Sequence, residues 1–164
     1  MSLHARYRPA LLVTVVLAWA ASSATAAPID TAAVAETIKR NVAQLVAGLN
    51  AHDADKTTAF DADQIISMEC GSAPSIGIEA DREGFKMGFS RDPDWKVSLI
   101  DETVDLASSG DLAIYRGVYN EDNGRSGVLT THKTNFIAEF KRQSDGSFKM
   151  VWYIVANREP SHRK

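Results

Sequence analysis

The side chains that could move a proton in this chain are few and widely spaced. His132 is one, because an imidazole titrates near neutral pH without help from its surroundings. It shares one face of a β-rich run with Thr134, Phe136, Ala138 and Phe140. No partner adjoins it in sequence, so it reads as a structural or rim residue unless the fold brings one. Glu69 stands just before a turn, Cys70-Gly71-Ser72-Ala73-Pro74. Strand alternation decides whether its carboxylate points inward or outward, and solvent is the expected side. Tyr115 and Tyr119 share a face with Gly117. Phenol hydroxyls inside an apolar enclosure can hold a ligand carbonyl or hydroxyl, and otherwise these are core aromatics with satisfied hydroxyls. His132, Glu69 and Tyr115 are therefore the candidate acid–base residues.

Other chemistry is poorly supported. Cys70 is the one cysteine, so no internal disulfide forms, and with no basic neighbour in sequence a buried, inert thiol is expected. His52, His132 and His162 lie far apart with no i,i+4 pairing and no cysteine cluster, which argues against a metal site. No motif calls for a cofactor.

The elements that must position these residues are legible. Pro28 to Asn50 predicts a long helix, with Asp30 as N-cap and Val34, Ile38, Val42, Leu45 and Leu49 along one face. Asp53 or Asp55 caps a short second helix reaching about Phe60, and Gln64 to Glu69 is a short strand. Glu79 opens a third helix, with Ile78, Phe85 and Phe89 on one side and Glu79, Asp81 and Glu83 near its positive N-terminal end. Asp92-Pro93-Asp94 stops it. Trp95 to Ala107 is a strand with Val97, Leu99 and Ile100 as core candidates. Three β-rich runs follow, Leu112–Tyr119, Val128–Phe140 and Phe148–Val155, separated by turn residues around Asn120–Gly124 and Ser144–Ser147. Helices first and strands last in one small domain give an α+β class, helices packed on one face of a mostly antiparallel sheet.

The first 26 residues read as a cleaved signal peptide: Arg6 and Arg8, an apolar run from Ala10 to Ala21 that is short for a bilayer, and Ala24-Thr25-Ala26. No stable membrane anchor is expected. The domain is then 27–164. The chain carries 21 acidic and 18 basic residues, and losing Arg6 and Arg8 leaves a net charge of −5. That balance argues against nucleic acid as a partner; the basic Arg158, Arg163 and Lys164 read as a solvated tail.

Phe60-Asp61-Ala62-Asp63, then Gly71-Ser72-Ala73-Pro74 and Gly77 before a helix, resemble the first half of the nuclear transport factor 2-like superfamily. Gly110–Tyr119 and Asp145-Gly146-Ser147-Phe148-Lys149 resemble its second half. The likeness is to the SnoaL-like and ketosteroid-isomerase-like branch and covers nearly all of residues 27–164. It implies a cystatin-like cone: one long N-terminal helix packed in a strongly curved sheet, a pocket inside, and frequent dimers. The pocket residues it implies are Leu45, Met68, Trp95, Tyr115, Tyr119, His132 and Phe136. It does not imply one activity. Ketosteroid isomerases carry an Asp base, a Tyr and a protonated Asp. Aligning the G-S-x-P turn and the end of the first helix puts Met68, Leu45 and, to within a residue or two, Phe136 at those positions. All three are apolar, so steroid isomerisation is not expected.

Two functions stay open. One is an exported, periplasmic or secreted, binding module holding a small apolar ligand; the missing trio favours it. The other is a small isomerase, cyclase or dehydratase using His132, Glu69 or a tyrosine. They differ in one observable: the enzyme needs two polar side chains converging in one pocket. A homodimer through the sheet is also expected, because both faces of the third β run carry large apolar groups: Phe148, Met150, Trp152 and Ile154 on one, Val151, Tyr153 and Val155 on the other.

Overall fold

A computed structural model describes residues 29–124 and 127–157. The expected signal peptide at 1–26 and the basic residues at 158–164 lie outside the described residues. Within them the order is α1 (Thr31–Asn50), α2 (Ala54–Thr57), β1 (Asp61–Glu69), β2 (Ser75–Ile76), α3 (Ile78–Arg91), β3 (Lys96–Leu106), β4 (Leu112–Asn123), β5 (Thr130–Arg142) and β6 (Phe148–Asn157).

The chain opens as its caps dictate. Asp30 accepts the Ala33 N–H at 3.0 Å and starts α1, which buries Ile38, Val42, Leu45 and Leu49. Asp53 does the same for α2 through the Lys56 N–H. Gly48 lets α2 fold back against α1, since a Cβ there would lie 2.7 Å from Thr57 N. The end of α1 is then pinned to β3 by Asn50, whose Nδ2 donates to Val97 O at 2.9 Å while Val97 N donates to its Oδ1 at 2.8 Å.

One six-stranded sheet has the order β2-β1-β6-β5-β4-β3, antiparallel throughout except for the parallel β1–β6 pair. Its inner face meets α1 in a single core that joins Ile38, Val42 and Leu45 to Ile65, Tyr115, Ala138, Phe140, Met150 and Tyr153. This is the expected α+β architecture of a helix packed on a mostly antiparallel sheet.

Three details depart from the sequence reading. β4 runs on through Asn120 to Asn123, because it pairs with both β3 and β5 there and sheet context outweighs turn propensity. Leu99 and Ile100 are not core: a register shift between Leu99 and Asp101 leaves them 49% and 46% exposed. In β6, Met150 faces Phe140 but Trp152 faces Glu139, so Val151 is an extra residue. This bulge turns Phe148, Met150 and Tyr153 to the same buried side and sends Trp152 and Ile154 outward. The simple alternation expected for this strand fails at that point.

Candidate functional site

A cavity of about 350 Å³ lies between the C-terminal half of α1, α3 and the inner face of the sheet. Leu45, Val46 and Leu49 of α1, Phe85 of α3, Trp95, Val97 and Phe136 make its apolar wall. Its ionisable groups include five carboxyls: Asp61, Glu69, Asp81, Asp92 and Glu121 all line it, and no lysine or arginine among the described residues does. An apolar cone was expected, and the acidic lining corrects that.

Two deeply buried carboxyls of the lining are Asp61 at the start of β1 and Asp81 one turn into α3, 2% and 4% exposed. Tyr153, placed inward by the β6 bulge, donates its hydroxyl to Asp81 Oδ1 at 2.8 Å. Neither Asp61 oxygen meets a donor, nor does Asp81 Oδ2. Two ionised carboxyls side by side offer acceptors without donors; a proton on Asp61 supplies one and lets it hydrogen-bond to Asp81. Burial first, then the Asp81 charge and that hydrogen bond, push Asp61 up to about 8, against a smaller pull from Lys149 and Arg82. Burial and the Asp81 charge likewise raise Tyr153, which stays a phenol donor. Across the cavity Asp92 is bound to the Gly124 N–H, and Glu121 accepts from Thr134 Oγ1 at 2.6 Å.

A second polar chain runs through the core. Tyr119 and Tyr115 share a 2.5 Å hydrogen bond, and Tyr115 donates to Glu102 Oε2 at 2.9 Å. Gly117 makes the pair possible, because a Cβ there would sit 2.5 Å from the Tyr119 ring and 2.9 Å from the Tyr115 hydroxyl. Burial pushes Tyr119 up to about 12 and Tyr115 higher still, so both are neutral. With Tyr115 donating to Glu102, the Tyr119 proton is directed to Tyr115, and what Tyr119 offers the cavity is its ring and an acceptor lone pair.

Of the residues singled out in the sequence, Leu45, Trp95, Tyr119 and Phe136 line the cavity together, and Glu69 joins them at the exposed rim. Tyr115 is fully buried behind Tyr119. Met68 is not in the lining: it pairs with Ile154, while Ser67 and Glu69 take the inner face beside Tyr153 and Val155. The alignment on the turn was therefore one residue out of phase. His132 is half-buried, bonded through Nε2 to Thr130 Oγ1 at 3.0 Å, and does not join the lining. Cys70 is exposed on the rim, against the buried thiol expected. Among the described residues no group of three side chains could hold a metal ion, and no helix is long and apolar enough to cross a membrane.

The acid pair was missed. Asp81 was read as a helix-dipole residue, yet it lies three residues after Ile78 and four before Phe85, on the helix's apolar stripe. A carboxylate on that stripe was the available signal. Nothing in the sequence announced the bulge that brings Tyr153 to it.

No family model matches the sequence, and no curated protein does. Solved structures do match the fold. A ketosteroid isomerase-like protein from Erwinia carotovora atroseptica is 18% identical, with a TM-score of 0.61 over 76% of this chain and 96% of that one. A candidate dehydratase from the NTF2-like family of Streptomyces avermitilis is 15% identical, with a TM-score of 0.67 over 79% and 99%. The chain has the nuclear transport factor 2-like fold. A further protein with this fold, from Catenulispora acidiphila and solved in complex with S-DNPA, is 16% identical, with a TM-score of 0.65 over 77% and 94%. Others are described as having a cystatin-like fold. In this fold the cavity is thus the space enclosed by the long helix, α3 and the sheet, and its acid pair sits on β1 and α3.

Proposed function

We propose that this protein is a small acid–base enzyme whose Asp61–Asp81 pair moves protons on a substrate held in the cavity. The observation that carries the reading is the convergence of Asp61, Asp81 and Tyr153 in one enclosed space. A pair with one protonated and one ionised member supplies an acid and a base at the same pH. Asp61 holds a proton to give, and Asp81, oriented by Tyr153, can take one. In a dehydration the acid protonates the departing hydroxyl, which leaves as water, while the base removes a proton from the neighbouring carbon. In an isomerisation the base removes a carbon-bound proton and the acid returns one at a different carbon. Two buried carboxyls are costly to bury, so their presence calls for a use, and an acid–base pair is one. The names isomerase-like and dehydratase on similar folds agree with this class of reaction.

The test is solvent deuterium incorporation into a panel of enolisable ketones and β-hydroxy ketones, neutral and amine-bearing, followed by NMR. Exchange above background that is lost in Asp61→Asn and in Asp81→Asn supports the reading. A wild-type protein that exchanges no member of the panel is instead a binding module.

We further infer export through residues 1–26, supported by the order Arg6, Arg8, apolar run, Ala24-Thr25-Ala26. Protein recovered outside the cytoplasm should begin near Ala27. A homodimer through the outer sheet face is supported by the ladder Ile76–Ile66–Trp152 and Met68–Ile154–Ile137 across neighbouring strands. Ile76 and Ile66 are 63% and 37% exposed in the single chain. Sedimentation at micromolar concentration should give twice the chain mass, and a monomer would count against it.

A further inference from the structure

We propose that the cavity takes an organic cation, a protonated amine or quaternary ammonium on a compact apolar body; as a statement about substrate it rests on the acid–base reading above. Three observations point there. Every ionisable lining side chain among the described residues that carries charge at neutral pH is a carboxyl group. Two of the buried ones, Asp61 and Asp81, leave three oxygens without a donor. One shared proton joins the pair and still leaves an Asp61 oxygen unserved, whereas a protonated amine brings up to three donors to the same place and a quaternary ammonium, with no N–H, brings its charge alone. The rings of Phe85, Trp95, Tyr119, Phe136 and Tyr153 complete the wall, and aromatic faces attract a desolvated cation through their quadrupoles.

The nearest fixed cations do not satisfy this demand. Arg82 on α3 is engaged by Asp55 of α2 at 2.8 Å and by Glu79 at 2.5 Å. Lys149 on β6 donates to Ala59 O at 2.8 Å. Neither lines the cavity. An anionic ligand would meet carboxylates without a basic partner there, and a neutral alcohol brings one donor and no charge to them. The cavity volume is near the lower end for a small-molecule site, which sets the size of the guest. The Trp95 indole N–H also has no partner and lines the same space, so it offers one donor to an oxygen on the guest.

A cation beside Asp61 favours the ionised carboxyl and so makes Asp61 a stronger acid: its proton passes to the accepting group of a substrate, or to solvent when the bound cation, like the probes below, carries no such group. The experiment is titration calorimetry of the full mature chain near pH 6.5, in two buffers of different ionisation enthalpy. The probes are phenethylamine, phenethyltrimethylammonium, phenylethyl alcohol and phenylpropionate. Both cations should bind at least about tenfold more tightly than the alcohol, the carboxylate should bind worst, and cation binding should release protons. Asp81→Asn and Asp61→Asn should each erase most of the preference for cations over the alcohol. Equal binding of alcohol and amine, tighter binding of the carboxylate, or no binding of either cation at millimolar concentration overturns the proposal. Cation binding without turnover of any amine-bearing ketone would remove the enzymatic reading and leave the ligand class standing. Turnover of neutral ketones without cation preference would do the reverse.

Discussion

Tyr153 donates a hydrogen bond from its hydroxyl to Asp81 across 72 residues of sequence, from the last strand of the sheet to the first turn of α3. Both ends depend on local irregularity. Tyr153 reaches inward because β6 gains a residue at Val151, and Asp81 does so because it occupies an apolar position of its helix. The bond holds one oxygen of Asp81 and so fixes which oxygen faces Asp61. Tyr153→Phe should therefore remove a buried hydrogen bond and strand Asp81 Oδ1, costing about 1–3 kcal/mol in urea unfolding. Deuterium exchange on any substrate should fall as well, because the base is no longer oriented. A variant as stable and as active as the parent would show that the bond does neither.

Asp61 ties stability to pH in the opposite sense from an ordinary salt-bridged aspartate. Its carboxyl ionises at the ordinary 3.8 in the unfolded chain and at about 8 in the fold. Between those values the folded state binds more protons, so this group makes stability fall as pH rises from about 4 to about 8, then level off. The ceiling on the slope is about 1.4 kcal/mol per pH unit. The groups around it are Asp81 and Arg82 on α3 and Lys149 on β6. Asp61→Asn keeps the shape and cannot ionise. Its stability should match the parent near pH 4 and exceed it by a growing margin up to pH 8, while proton transfer is lost. Parallel stability curves for the two proteins would refute a raised Asp61.

Much of the fold was legible because burial writes itself into sequence period. The stripe Ile38, Val42, Leu45 and Leu49 forecast both α1 and the face it buries, and the three late β runs forecast the meander. The site was legible at the wall residues Leu45, Trp95, Tyr119 and Phe136 and at Glu69 on the rim. Its working groups were hidden for two physical reasons. A bulge has no periodic signature, so Tyr153 could not be turned inward by counting. Strand phase is lost with a one-residue error, so Met68 stood in for its neighbours Ser67 and Glu69. His132 drew attention through its intrinsic pKa, but the strongly shifted group is Asp61, whose pKa is set by surroundings that the sequence does not display.

Gly48 sets helix propensity against packing. Alanine is favoured over glycine inside a helix by about 1 kcal/mol. A Cβ at Gly48, however, would lie 2.7 Å from Thr57 N and 2.8 Å from the Lys56 carbonyl carbon, both backbone atoms of α2. Backbone cannot turn aside as a side chain can, so overpacking should win and Gly48→Ala should lose about 1–3 kcal/mol. Thr57 lines the cavity, and the displaced α2 should weaken ligand binding too. A stabilised Gly48→Ala would mean that α1 and α2 can part at that point without loss.

The last prediction concerns how the wall formed by α1 is held. β3 is an edge strand, and at Val97 its open side is completed by the Asn50 side chain, which accepts from one backbone group and donates to the other. One residue thus imitates a strand neighbour and fixes the end of α1, where Leu45 and Leu49 face the cavity alongside Val97. Asn50→Ala removes both bonds and leaves the half-buried Val97 N–H and C=O without their partner. The expected loss is about 1–3 kcal/mol in unfolding, with weaker binding of the cationic probes as the wall loosens. Lys96→Met is the control: its ammonium reaches Asn50 O at 3.1 Å in an exposed position, and such surface contacts change stability by about 0.5 kcal/mol or less. Equal effects from the two substitutions would mean that the end of α1 is held by burial of Leu45 and Leu49 alone, and that the paired bonds to Val97 add nothing.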